Sequence, residues 1–121
     1  MERLIVLFCL CCSLMARAET LNSRLAGSWY PGSEAKLKQL IKECLKNVKT
    51  PRYPNVIALL LPHAGYQYSG PTAAAGLAAV TGKNYKRVII LGPSHSVAMR
   101  DIISIPQYNA YKTPLGETKL D

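Results

Sequence analysis

Beginning at Ser33, apolar residues recur with a helical beat. Leu37, Leu40, Ile41, Cys44, Leu45 and Val48 fall at i, i+3, i+4, i+7, i+8 and i+11, with lysines on the opposite side. Ser33 followed by Glu34 suits a helix start, so the spacing predicts an amphipathic helix with Cys44 in its core stripe. Thr50-Pro51-Arg52-Tyr53-Pro54 breaks it, because two prolines in four residues cannot continue a helix. Val56 to Leu61 is then apolar throughout and bounded by prolines, the pattern of a strand buried on both faces. A loop is expected over Pro62 to Gly70, an Ala-rich helix from Pro71 to Val80 with proline in its first turn, and a second buried strand over Arg87 to Leu91. Strand, helix, strand with a one-helix crossover predicts parallel strands joined in the right-handed sense. Further on, Ile102 to Ile105 and Glu117 to Leu120 are weaker strand candidates, with Thr113-Pro114-Leu115-Gly116 as a turn. The expected fold class is α/β, a parallel-containing sheet flanked by helices.

The amino terminus carries a different pattern. Met1-Glu2-Arg3 precedes an apolar run from Leu4 to Met15, and Ala16-Arg17-Ala18 has the small-x-small form of a cleavage site. Residues 1–18 therefore read as a signal peptide and 19–121 as the mature α/β domain, which is expected to be exported to the periplasm or the exterior. The run is shorter than the roughly 20 apolar residues a span requires, so no stable membrane span is expected after cleavage.

Composition narrows the function classes. The chain has 121 residues, 49% of them hydrophobic, which excludes a disordered or many-domain protein. Cys9, Cys11 and Cys12 lie in the leader, so Cys44 alone remains and no disulfide framework is possible. Net charge is +8, but the surplus is spread over helix faces and turns without a nucleic-acid-binding motif, and no nucleic-acid partner is expected.

Candidate chemistry centres on the only two histidines. His63 lies two residues beyond the first predicted strand and His95 four beyond the second. In neighbouring parallel strands those ends share an edge, where open α/β sheets place their ligands. The two imidazoles can then meet at one point; two loop histidines bonded locally are the alternative. A metal site normally requires three protein ligands. No third is evident, so either it is missing or no metal binds. Ser94 stands beside His95, but adjacent residues do not normally face each other as a catalytic triad requires, and the G-x-S-x-G motif is absent. Gly65, Gly70 and Gly92 offer turns, and Tyr66 and Tyr68 two rings on one side of an extended loop.

Four stretches in order, Arg24-Leu25-Ala26-Gly27-Ser28-Trp29-Tyr30-Pro31, Leu61 to Gly70, Ile90-Leu91-Gly92-Pro93-Ser94-His95 and Tyr111-Lys112-Thr113-Pro114-Leu115-Gly116, resemble the Memo family, which includes the bacterial AmmeMemoRadiSam system protein B. The resemblance covers the mature chain but only the amino-terminal portion of a family member. It implies an extradiol-dioxygenase-like α/β fold, here truncated, with a pocket at the strand ends. By motif, His63 and His95 match the family's metal-site histidines and Trp29 a pocket-lining tryptophan; Tyr66, Tyr68 and Ser94 complete the expected ligand-binding set. Iron or copper is the implied cofactor, with the third ligand absent from this chain. Three functions follow as expectations: an incomplete transition-metal site; a non-enzymatic module for a phosphotyrosine-like or other anionic peptide; or a metal-dependent redox enzyme or dioxygenase completed by the carboxy-terminal half of a split family member.

Overall fold

A computed structural model describes residues 19–49 and 53–121. The expected leader, residues 1–18, and part of the proline break lie outside the described residues. The elements run β1 (Thr20–Asn22), α1 (Glu34–Leu45), α2 (Tyr66–Ala78), β2 (Ala110–Thr113) and β3 (Gly116–Lys119). The class is α/β, with two helices and a mixed three-stranded sheet in the order β1-β2-β3.

The first helix follows its sequence pattern. Ser33 is the N-cap residue with extended backbone, and Glu34 places an acid in the first turn where the helix dipole favours it. Lys38 Nζ reaches Glu34 Oε1 at 2.6 Å, one helical turn along. Leu37 is buried, Leu40, Ile41 and Cys44 are half-buried, and Leu45 is exposed, a departure from the expected stripe.

The second helix begins five residues earlier than its proline suggested. Pro71 lies inside it rather than at its first turn, and Tyr66 to Gly70 is helical, not loop. The start is closed by Ser69, whose hydroxyl donates to the Ala64 carbonyl at 2.8 Å. The missing proline N–H costs one internal bond. Ser69, Gly70, Ala74 and Ala78 are the buried positions of this helix. With Leu37 they form the core between α1 and α2, where Gly70 lets the Cys44 side chain approach closely.

The sheet lies elsewhere than the apolar runs foretold. β1 pairs in parallel with β2, Thr20 opposite Ala110, and β2 pairs antiparallel with β3 through a turn at Pro114-Leu115. Gly116, at φ 123, supplies backbone that L side chains rarely adopt. Neither 56–61 nor 87–91 forms a strand, nor does 102–105, and the first two are not buried as expected: Ile57 is 98% exposed, Leu60 100% and Ile90 87%. A strand needs partners for its backbone groups, and among the described residues no backbone–backbone hydrogen bond involves 56–61, 87–91 or 102–105.

The two central runs nonetheless lie side by side in one direction. At their starts, Lys83 Nζ donates to the Tyr53 carbonyl and Tyr85 Oη to the Val56 carbonyl, across 30 and 29 residues. At their far ends His63 meets His95, 32 residues apart in sequence. The near-constant offset keeps them aligned along their length. Arg87 pairs with Asp121, tying the second run to the end of the chain. Among the described residues, no helix is long and apolar enough to cross a membrane.

Candidate functional site

His63 and His95 each follow an extended apolar run, and the common direction of those runs delivers both rings to one place. Their Nε2 atoms are 3.3 Å apart. The ring centroids are 5.3 Å apart and inclined by 42°, so the imidazoles meet through their nitrogen apices instead of stacking. Two outcomes suit this approach. One neutral ring can donate its Nε2–H to the other, or both can offer lone pairs to one cation. At metal–nitrogen distances of about 2.0–2.1 Å, a 3.3 Å separation subtends roughly 105°, within the tetrahedral range. The pair therefore fits two neighbouring positions of a transition-metal coordination sphere.

Among the described residues no group of three His, Cys, Asp or Glu side chains gathers at a common point. Cys44 packs against Gly70 between the helices. Both histidines are exposed. What the described residues present is a pair of imidazole nitrogens, open to solvent and to any group brought against them.

The other expected ligand-binding residues divide. Trp29 sits on a tight turn in which Gly27 N–H donates to the Tyr30 carbonyl at 2.8 Å, with Gly27 at φ 89. The Trp29 carbonyl accepts the Tyr66 N–H at 2.8 Å, which fixes this turn against the stretch just after His63. Its side chain is 44% exposed. Tyr66 instead packs against Tyr30, with ring centroids 5.2 Å apart and planes inclined by 39°. Tyr68 is 76% exposed; because the segment is helical, residues two apart point in different directions and the expected shared face of the two rings does not form. The Ser94 hydroxyl donates to the Val97 carbonyl at 2.6 Å and accepts the Val97 N–H at 3.2 Å, closing the turn that carries His95.

Tyr30 is a site-supporting residue that periodicity did not single out. Its hydroxyl bonds to Ser23 and its ring to Tyr66, so it links β1's exit to the start of α2. Its sequence signal was its place beside Trp29 in the first of the four stretches that carry the family resemblance. A cleft of about 740 Å³ adjoins the His95 turn, lined by Leu91, Pro93, Ser94, Met99, Ile102 and Ile103 among others, but neither histidine lines it.

A family model described as Memo-like protein matches residues 22–121. The chain belongs to the Memo-like family. A MEMO1 family protein of Nitrosopumilus maritimus is 35% identical over 102 residues, covering 80% of this chain and 37% of that protein. The Saccharomyces cerevisiae MEMO1 family protein MHO1 is 40% identical over 102 residues, 79% of this chain and 29% of its own length. A Caenorhabditis elegans protein memo-1 homolog is also 40% identical, covering 84% and 29%. This Memo-like chain thus spans about a third of the length of the curated relatives it matches.

Proposed function

We propose that this Memo-like chain provides two of the ligands of an iron or copper site, His63 and His95, at the ends of two aligned segments of an extradiol-dioxygenase-like fold. The observation that carries the reading is the 3.3 Å approach of the two Nε2 atoms. A transition metal held there would supply Lewis acidity and one-electron redox chemistry. The chain's own residues do the positioning. Ser94 closes the turn behind His95, Leu61 anchors the segment ahead of His63 on α2, and the Trp29 turn abuts the start of that helix. Two donors hold a metal weakly, so redox turnover belongs to an assembly that adds a third. The leader-like pattern over residues 1–18 supports export of the chain.

Titration of the chain with Cu(II) and with Fe(II) by calorimetry tests the reading. The wild type is expected to bind one ion and His63→Ala and His95→Ala to lose that site. Equal binding by all three overturns it.

A second reading is favoured by the exposed Trp29 ring beside the loop that follows His63. Trp29 with the adjoining backbone would receive an aromatic anionic group, such as phosphotyrosine in a peptide. Binding of that peptide in the presence of a metal chelator, lost in Trp29→Ala, supports the module; no binding rejects it.

A further inference from the structure

Helix α1 has two sides, and packing explains only one of them. Leu37 is buried and Cys44 lies beside Gly70, which sets that side against α2. Away from it, Lys38, Lys42, Lys46 and Lys49 recur at i, i+4, i+8 and i+11, the spacing that keeps residues in one row along a helix. All four are exposed. Lys46 is the C-cap, still in helical conformation, and Lys49 follows it. No acid stands in the row: Glu34 is bonded to Lys38, and Glu43 accepts from Gln39 at 2.9 Å. Among the described residues no carboxylate lies within ion-pair distance of Lys42, Lys46 or Lys49.

Leu45 adds a second feature. Its periodicity places it in the core stripe, yet it is 41% exposed and sits beside the row, between Lys42 and Lys49 in sequence. Ammonium groups without carboxylate partners are costly to bury, so this face meets water or an anionic surface whatever else packs on the molecule. Cations spaced about 6 Å apart along a helix axis, with an apolar side chain at their edge, fit a flat layer that is negative at its surface and apolar beneath. The lysines meet the headgroups and the leucine enters between them. An acidic protein would have to repeat its carboxylates at the same spacing, and a nucleic-acid duplex offers the leucine no apolar layer.

We propose that the outer face of α1, from Lys38 to Lys49 with Leu45, docks the chain on the surface of an anionic phospholipid bilayer, the helix axis lying in the plane of the headgroups. Lys38 contributes least, because Glu34 already neutralises it. Lys42, Lys46 and Lys49 carry the attraction, each worth about fivefold in binding and screened by salt. The docking does not depend on the metal reading of His63 and His95.

Co-sedimentation of the full chain with lipid vesicles tests this. Binding is expected to phosphatidylcholine vesicles containing about 30% phosphatidylglycerol and not to phosphatidylcholine alone, and it should fall at least about tenfold as salt is raised. Lys42→Gln combined with Lys46→Gln should weaken it roughly 25-fold, with helix content by circular dichroism unchanged, because both side chains are exposed. Leu45→Gln should weaken it about threefold. Lys36→Gln removes the same charge from another side of the helix and should change binding by less than about twofold. His63→Ala should bind as the wild type does. Equal losses from Lys36→Gln and Lys42→Gln, binding indifferent to the double substitution, or equal binding to both kinds of vesicle overturns the proposal. Lysine-dependent binding to duplex DNA with none to the vesicles overturns it as well.

Discussion

The side chain of Leu61 lies across Gly76 of α2, so close that a Cβ at position 76 would overlap its Cδ2 methyl. Leu61 is also the last apolar residue before Pro62 and His63, so the absence of a side chain at position 76 sets where the first imidazole emerges. Replacing a mid-helix glycine by alanine ordinarily gains about 1 kcal/mol. Here the displaced leucine costs more, of order 1–3 kcal/mol. Gly76→Ala is therefore expected to lower stability by about 1 kcal/mol in urea unfolding, and to raise it in a Leu61→Ala background. Additive behaviour of the two substitutions would show that the contact has no weight.

Tyr30 joins two elements through two different contacts. Tyr30→Phe removes only the hydroxyl bonded to Ser23 and should cost about 1 kcal/mol. Tyr30→Ala also removes the ring packed against Tyr66 and should cost about 3 kcal/mol. Equal losses in the two variants, measured by the same unfolding titration, would assign no value to the ring contact.

On the exposed face of α1, the Lys38 ammonium hydrogen-bonds the Glu34 carboxyl and holds its pKa below the usual glutamate value. A lowered folded pKa means that the pair's contribution is complete above the unfolded value and is lost as pH falls through the folded one. Nuclear magnetic resonance titration should place the Glu34 midpoint below the ordinary glutamate range, and Lys38→Met should return it to that range. An unchanged midpoint in that variant would contradict the assignment.

How far the sequence reveals this molecule depends on where each residue's partners lie. The stripe from Leu37 to Val48 has its partner in the same chain, and α1 forms nearly as its periodicity predicts. The turn at Pro114-Leu115 is local, and it too was legible. The start of α2 was not: Tyr66 to Gly70 is poor in helical periodicity and Pro71 reads as a first-turn residue, whereas in the fold Ser69 bonds back to the Ala64 carbonyl and Gly70 packs beside Cys44 of α1. β1 and β2 were missed because three- and four-residue strands with polar side chains carry almost no alternation signal. The runs 56–61 and 87–91 were legible as apolar and extended, but burial is a property of pairs of surfaces, and no described residue covers theirs. The meeting of His63 with His95 came through because it depends only on the direction and length of those runs, which survive without a ladder between them.

The account rests on both imidazoles addressing one ion. Electron paramagnetic resonance of the chain carrying one equivalent of Cu(II) measures this directly, because each bound nitrogen splits the copper signal. Two equivalent imidazole nitrogens are expected in the wild type and one in His63→Ala or in His95→Ala. A wild-type spectrum showing a single imidazole, or one unaltered by either substitution, would contradict it.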